Sequence, residues 1–482
     1  MAREVKMQSR VREVDWQQVK EWDRKYLIHA RYSQQEYDPQ PLARTEGSWL
    51  YRPDGSKILD FLSGYISVNI GYSHPRIQAA IKEAADSFGF AADHSFATEY
   101  RSRVAKLLME DILGPDDWAG AVRFTVTGSE AVELACIIAK LYTNRPTIVS
   151  KEWAYHGYTM GAAGATTSPA YRSGLASDTE PAETRPVPSH PPGGFMMVPG
   201  NNCYRCSLGH EYPACKMRDG TLPCVHVVDS MVSARVDSVA AIITDIAQAR
   251  GTVIPPEEYF AQLRQLTKEL GILWIDDEVV CGFGRLGKWF GYQRYGVTPD
   301  IMCIGKGLCS SALPVSAVVV SKEIAEFLNK QRFLQLSTFS GHPLAMAAAA
   351  ANLEVMLEEN IPARAAKAGE YIAEKLRVLE RNHRCIGRVG GAGVFWSVEL
   401  VKNRETKEHF RKRALSFNYA GDIHDSVQDV IAHKCHDKGV LLGGFMPNSV
   451  ILGPPCTVTR EEIDIAIDAL DDALKEIDAM CD

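Results

Sequence analysis

What most constrains this chain is a rhythm in its middle, where six short runs of β-branched and apolar residues alternate with stretches of helical periodicity. The runs are Arg123–Val126, Thr147–Ser150, Ala240–Asp245, Gly271–Asp277, Ile301–Ile304 and Val315–Val320. Unbroken apolar runs suit strands covered on both faces, and strands alternating with helices build a mostly parallel sheet between helical layers. From about Pro343 the pattern changes to an Ala-rich helix, then a strand-like VFWSVELV, then a capped helix from Thr459 to Met480. A hairpin signal at 45–61, centred on Asp54-Gly55, would join this smaller α+β lobe. The expected fold class is therefore α/β. Its stretches are an N-terminal segment (1–75) joining the small domain, a large domain (76–345) and a C-terminal small domain (346–482). Residues 168–226 carry little periodicity and read as a long irregular loop, a feature that in compact proteins is usually functional or ordered by a partner.

Lys and Arg number 53 against 60 for Asp and Glu, a net charge of −7, which does not suit a nucleic-acid binder. No apolar run approaches the roughly 18 residues of a membrane span, and MAREVKMQSRVREVDW lacks the apolar core of a secretory signal. The 12 cysteines are mostly scattered singly, as reduced thiols are. The expectation is a cytoplasmic protein that binds neither nucleic acid nor membrane.

The chemistry concentrates between Ile272 and Leu308. Ile272–Ile275 runs into Asp276-Asp277-Glu278, and Ile301–Ile304 runs into Gly305-Lys306-Gly307. In open parallel sheets ligands bind beyond the carboxyl ends of strands, so an acid and a lysine at two such ends are placed for chemistry. A lysine beside a carboxylate suits Schiff-base catalysis, and pyridoxal phosphate asks for such a lysine, an acid at its pyridine nitrogen and a phosphate cup. Arg123–Ala135 offers the cup: FTV turns at Thr127-Gly128-Ser129-Glu130 into a helix whose free N–H groups face an anion. Two rivals fit poorly. Gly282-x-Gly284-x-x-Gly287 matches a dinucleotide fingerprint but begins seven residues past Ile275, and Gly305-Lys306-Gly307-Leu308 lacks the Ser/Thr of a nucleotide P-loop.

The strings LDFLSGYISVNIGYSHPRI, FTVTGSEAVELA, YHG, DDEVVCGFGRLGKWFGYQRYGVTPDI, GKGL and TFSGHPLA resemble, in order, the class III (omega-type) pyridoxal-phosphate aminotransferases. The resemblance covers about residues 45 to 350 and is weaker beyond. It implies fold type I, pyridoxal 5'-phosphate as cofactor, and a homodimer, or a dimer of dimers, with active sites at the subunit interface. It assigns Lys306 the Schiff base and the moving proton, and Asp277 the pyridine nitrogen. Gly128 and Ser129 match the phosphate turn, preceded by Thr127 where the family often has Ser. Tyr155, in Tyr155-His156-Gly157, matches the aromatic stacked on the ring, with His156 beside it. Gln248 matches the glutamine near the phenolic oxygen, and Thr338 the threonine reaching the phosphate from the other subunit. Tyr65, Phe96 and Trp153 are the pocket residues expected to select substrate.

Departures from the family pattern bear on the substrate. Asp245-Ile246 replaces the usual Glu-Pro, Ile451 stands where many members place a carboxylate-binding Arg, and Gly444 and Gly390 occupy two further arginine positions. The donor's remote end is then not gripped as a simple α-carboxylate, unless an arginine such as Arg388 substitutes. Cys203, Cys206, Cys215 and Cys224 have the count of a tetrahedral zinc site, but the family implies no metal and none is assigned. The expected activity is transamination from an amine or omega-amino donor to a 2-oxo acid such as pyruvate or 2-oxoglutarate. An amino-acid racemase or epimerase, or an amine lyase, is the alternative on the same fold.

Overall fold

The computed structural model describes residues 14–29, 37–168, 193–248, 251–410, 427–443 and 448–481. After an opening helix, Trp16–Tyr26, come three short strands: β1 (Arg44–Glu46), β2 (Trp49–Tyr51) and β3 (Lys57–Asp60). The Asp54-Gly55 turn closes β2 on β3 in antiparallel register, Trp49 opposite Leu59 and Tyr51 opposite Lys57, as the hairpin signal predicts.

The centre is a seven-stranded sheet of β4 (Ala119–Thr125), β5 (Thr147–Lys151), β6 (Phe195–Val198), β7 (Val239–Thr244), β8 (Leu273–Asp277), β9 (Ile301–Ile304) and β10 (Ser316–Ser321). Their order is β4-β10-β9-β8-β7-β5-β6, with β10 antiparallel to both neighbours and the other pairs parallel. All residues of β7 and β9 are buried, which is why these strands read as unbroken apolar runs. One face holds Ile275, Cys303 and Ala241 against the helix Gly128–Thr143; the other holds Trp274, Met302 and Ile242 within the larger core. The segment 168–226 departs from the irregular loop expected of it. Phe195–Val198 is an edge strand paired to β5, and Pro223–Ser233 starts a helix. Four apolar residues among prolines and glycines are too short to show a period; 169–192 lie outside the described residues.

Beyond the helices Pro343–Glu358 and Ile361–Asn382, β11 (Ile386–Ala392), β12 (Phe395–Leu400), β13 (Val440–Leu441) and β14 (Ser449–Leu452) follow. β11, β12 and β14 form one antiparallel sheet, while β13 pairs parallel with β3 and so ties the N-terminal hairpin to the C-terminal part. Thr459 caps the last helix, Arg460–Asp478, in a capping box with Glu462. No helix among the described residues is long and apolar enough to cross a membrane.

Candidate active site

Four neighbouring strands of the parallel sheet end on one edge, and the turns beyond them carry the charged groups. β9 breaks into a single turn, Lys306–Leu308, in which Lys306 holds a φ of 35°. That left-handed backbone costs a non-glycine residue about 1–2 kcal/mol, so the surroundings must hold it. Asn352, wholly buried on the helix Pro343–Glu358, donates to the carbonyls of Gly307 (2.9 Å) and Leu308 (3.0 Å) and accepts from Ser310 Oγ (2.7 Å). From the other side Asn69 donates to the Phe283 carbonyl at 2.8 Å and accepts from buried Arg285 at 2.8 Å. A Cβ on Gly307 would stand 2.5 Å from Asn69 Nδ2, and one on Gly305 2.9 Å from Ser316 Oγ. The glycines flanking Lys306 are thus required by close approach. Burial pushes the Lys306 amine down from 10.5 to about 8, against the opposing pull of Asp277.

Asp277, at the end of β8, accepts from Val279 N at 3.1 Å, and its Oδ2 lies 2.7 Å from His156 Nδ1. Both side chains are buried. His156 is fixed in turn by its backbone N–H, which donates to Thr166 Oγ1 at 2.9 Å.

The third part is the start of the helix Gly128–Thr143. Thr127 caps it by accepting from Glu130 N at 3.2 Å, and the Glu130 carboxylate reaches back to Val126 N at 2.8 Å. Ser129 Oγ accepts from Tyr158 N at 3.1 Å. A Cβ on Gly128 would come within 2.9 Å of Val279 Cγ1, and one on Gly157 (φ 127°) would collide with Ser129 Oγ. Val279 also lies 3.5 Å from a Cβ built on Gly305, so it touches the phosphate turn and the lysine turn together. A side chain two residues past Asp277 thus stands between the Gly128 turn and the Gly305 turn. A bare-backbone helix start for an anion, a buried carboxylate and a depressed lysine amine fit the phosphate, ring nitrogen and aldehyde of pyridoxal phosphate.

The remaining expected residues are distributed more loosely. Tyr155 is half-buried next to His156, and buried Gln248 donates from Nε2 to the Glu152 carbonyl at 2.5 Å. Thr338 is exposed in a loop and makes no hydrogen bond to the others. Tyr65, Phe96 and Trp153 expose 60%, 65% and 42% of their surface. Arg388 is not free to act as a carboxylate fork: half-buried, it donates to the Gly251 carbonyl at 3.1 Å and sits 3.6 Å from Glu399. Ile451 is wholly buried in β14, Gly390 lies in β11 beside the Arg388 guanidinium, and Gly444 is outside the described residues.

Sequence reasoning missed Lys151. It is wholly buried at the end of β5, donating to the Asp245 carbonyl at 3.0 Å and standing 3.2 Å from its carboxylate. A lysine after Val149-Ser150 reads as a solvated strand end, so no local signal marked it. Asp276 and Glu278 are also wholly buried; burial pushes both carboxyls upward, the charge of Glu278 raises Asp276 further, and Glu278 accepts from Tyr292 N at 3.0 Å. Farther off, Cys203, Cys206, Cys215 and Cys224 line one cavity with His210, and burial raises Cys203 to about 11 and Cys224 to about 12. Among the described residues no group of three or more His, Cys, Asp or Glu is placed to hold a metal.

Comparison with known proteins adds four findings. The family profile described as Aminotransferase class-III matches residues 32–474. An S-selective transaminase from Bacillus megaterium superposes with a TM-score of 0.91 at 47% identity, covering 97% of this chain and 99% of the other. A taurine:2-oxoglutarate aminotransferase from Bifidobacterium kashiwanohense, solved with PLP and glutamate, superposes at 0.84 with 30% identity over 97% and 99%. A leucine/methionine racemase from Thermococcus litoralis is 30% identical over 456 residues, 94% of each chain.

Proposed function

The chain belongs to the class-III aminotransferases, pyridoxal-phosphate enzymes of fold type I, and from that premise we propose a transaminase that moves an amino group from an amine or omega-amino donor to a 2-oxo acid such as pyruvate or 2-oxoglutarate. The observation that carries the reading is Lys306: an amine brought down to about 8, in a left-handed turn clamped from both sides, and within reach of the charge of Asp277, which His156 holds. The donor class is supported by the missing forks, since Ile451 is apolar and Arg388 is engaged by Glu399. The likeness to a protein described as an S-selective transaminase supports it further.

When bound, pyridoxal phosphate supplies an aldehyde for the donor nitrogen and a protonated ring that draws electrons from the donor carbon. The protein supplies the rest. Gly128 and Ser129 bind the phosphate through backbone N–H groups and the Ser129 hydroxyl. Asp277 holds a proton at the ring nitrogen, and His156 Nδ1 holds Asp277 in line. Lys306 Nζ takes the proton from the donor carbon; an amine near 8 is unprotonated in a large fraction of molecules at that pH, so it can act as a base. Tyr155 would pack on the ring face, and Gln248 would serve its phenolic oxygen. Tyr65, Phe96 and Trp153 shape the donor pocket.

The enzyme works as a homodimer in the cytoplasm. Leu334, Leu336 and Phe339 expose 88%, 75% and 60% of their surface in the loop that carries Thr338, and Phe90 and Phe339 both stand against His342. Such a patch calls for a partner surface, and a second copy would bring Thr338 to the neighbouring phosphate site. All twelve cysteines are free thiols, in keeping with a reducing compartment. Racemisation is the second reading, favoured by the similarity to the leucine/methionine racemase. The test is a visible absorption titration of the pyridoxal-phosphate-loaded protein with single amines and amino acids and no acceptor. Conversion to the pyridoxamine form with release of a carbonyl product supports transamination. A surviving band with loss of optical purity would replace it with racemisation.

A further inference from the structure

Residues 61–70 are buried except for half-buried Gly64 and for Tyr65, which exposes 60% of its surface. The backbone is strained around that one exposed side chain. Ser63 holds a φ of 44°, Gly64 of 69° and Ile66 of 55°. A β-branched residue at positive φ is an outlier, and such strain persists only where the surroundings over-determine it, most often beside a ligand. Buried Asp60 does the holding here. Its Oδ1 accepts from Leu62 N at 2.9 Å, and its Oδ2 accepts from Gly64 N and from the Tyr72 hydroxyl, both at 2.7 Å. Ser63 Oγ donates to the Gly453 carbonyl at 2.7 Å and accepts from Arg285 Nη2 at 3.2 Å. Downstream, the Ser67 carbonyl accepts from Ser311 Oγ at 3.4 Å and Ile70 N donates to Ser310 Oγ at 3.2 Å. The segment therefore lies on the turn that carries Lys306.

We propose that Asp60 is a positioning residue for donor selection: its carboxylate, steadied by the Tyr72 hydroxyl, holds the left-handed course of Ser63–Ile66 and so fixes where Tyr65 stands beside the lysine turn. This rests on the reading of Tyr65 as a donor-pocket residue. Three donors converge on Asp60, and a carboxylate can accept from all of them. Asparagine has the same shape, but its NH2 group must face one of those donors, so the strained turn loses a hold without losing volume.

The experiment uses the full-length protein loaded with pyridoxal phosphate. It reads kcat and KM for a compact amine, 2-aminopropane, and a bulky one, 1-phenylethylamine, with pyruvate as acceptor. The quantity followed is the ratio of the two kcat/KM values. Asp60→Asn and Tyr72→Phe each move that ratio about ten-fold, mainly through the KM of the bulky amine, in the direction in which Tyr65→Ala moves it. Combined with Tyr65→Ala, neither adds a further shift, because a residue that acts through Tyr65 then has nothing to act on. A general loosening of the fold would slow both amines alike and leave the ratio in place. Should Asp60→Asn fail to fold, Tyr72→Phe, which removes a single oxygen, carries the test. Single-variant ratios at the parent value, or shifts that add to that of Tyr65→Ala, overturn the proposal and leave the pocket reading standing. A Tyr65→Ala ratio equal to the parent's, or a parent that turns over neither amine, overturns the pocket reading and the proposal with it.

Discussion

Exchanging Lys306 for methionine makes the cofactor-free protein more stable while removing its chemistry. The side chain shortens by only one atom and the backbone keeps its left-handed φ, so the change is chiefly one of charge. In the fold the amine sits at about 8 against 10.5 for an unburdened lysine. Each unit corresponds to 1.36 kcal/mol, so keeping Lys306 charged at pH 7 costs the folded state up to about 3 kcal/mol. The sign follows from proton counting. Between about 8 and 10.5 the unfolded chain binds the proton that the fold has released, so parent stability rises across that window and is flat below it. The methionine variant lacks the term. It should exceed the parent by up to about 3 kcal/mol at pH 7, reduced by whatever water reaches the half-buried amine, and the gap should close by about pH 10.5. Urea denaturation of both cofactor-free proteins from pH 6.5 to 10 measures it. A variant less stable than the parent at pH 7, or a gap that does not narrow with pH, refutes the assignment of a desolvated, destabilising lysine.

Three further outcomes are expected. Lys306→Ala should still bind pyridoxal phosphate through the helix start and Asp277, but turn over orders of magnitude more slowly; parent-like turnover would remove Lys306 from the reaction. Asp277→Asn should slow proton removal from the donor about a hundred-fold, seen in single-turnover absorbance; an unchanged rate would mean another acid serves the ring. Asn352→Leu strands the Gly307 and Leu308 carbonyls and the Ser310 hydroxyl, and at about 1–3 kcal/mol for an unsatisfied buried group it should lower the denaturation midpoint clearly. A midpoint within error of the parent would show that this clamp does not hold the turn.

Much of this was legible in the sequence because strands buried on both faces leave unbroken runs of Val and Ile, and because two of those runs end in charge. Lys306, Asp277, Gly128 and Ser129 could be read locally, since a turn, a cap and a strand end are each short-range events. Asn69 could not: its partners Gly282 and Phe283 lie more than two hundred residues away, and a lone Asn in a loop carries no mark of them. Lys151 and Asp245 are 94 positions apart and meet only because β5 and β7 are neighbours in the sheet. Strand order is the information that local pattern lacks. The edge strand β6 was hidden for a different reason, its four residues being too few to establish a period. The fate of Arg388 turned on Glu399 across a strand pair, which no spacing reveals.

Tyr65 and Asn69 lie on one segment, between the hairpin and the helix Pro75–Ser87, and Asn69 packs against Gly307. The residue expected to judge the size of an incoming donor is therefore joined, within a single helical turn's length of chain, to the residue that fixes the pitch of the reactive lysine. On the proposed reading, the residue that selects the donor and the residue that braces the lysine turn share one short segment. A directed-evolution campaign that enlarges the pocket at Tyr65 should find rate and cofactor retention drifting with substrate scope, and second mutations that recover them should collect around Asn69, Arg285 and Asn352.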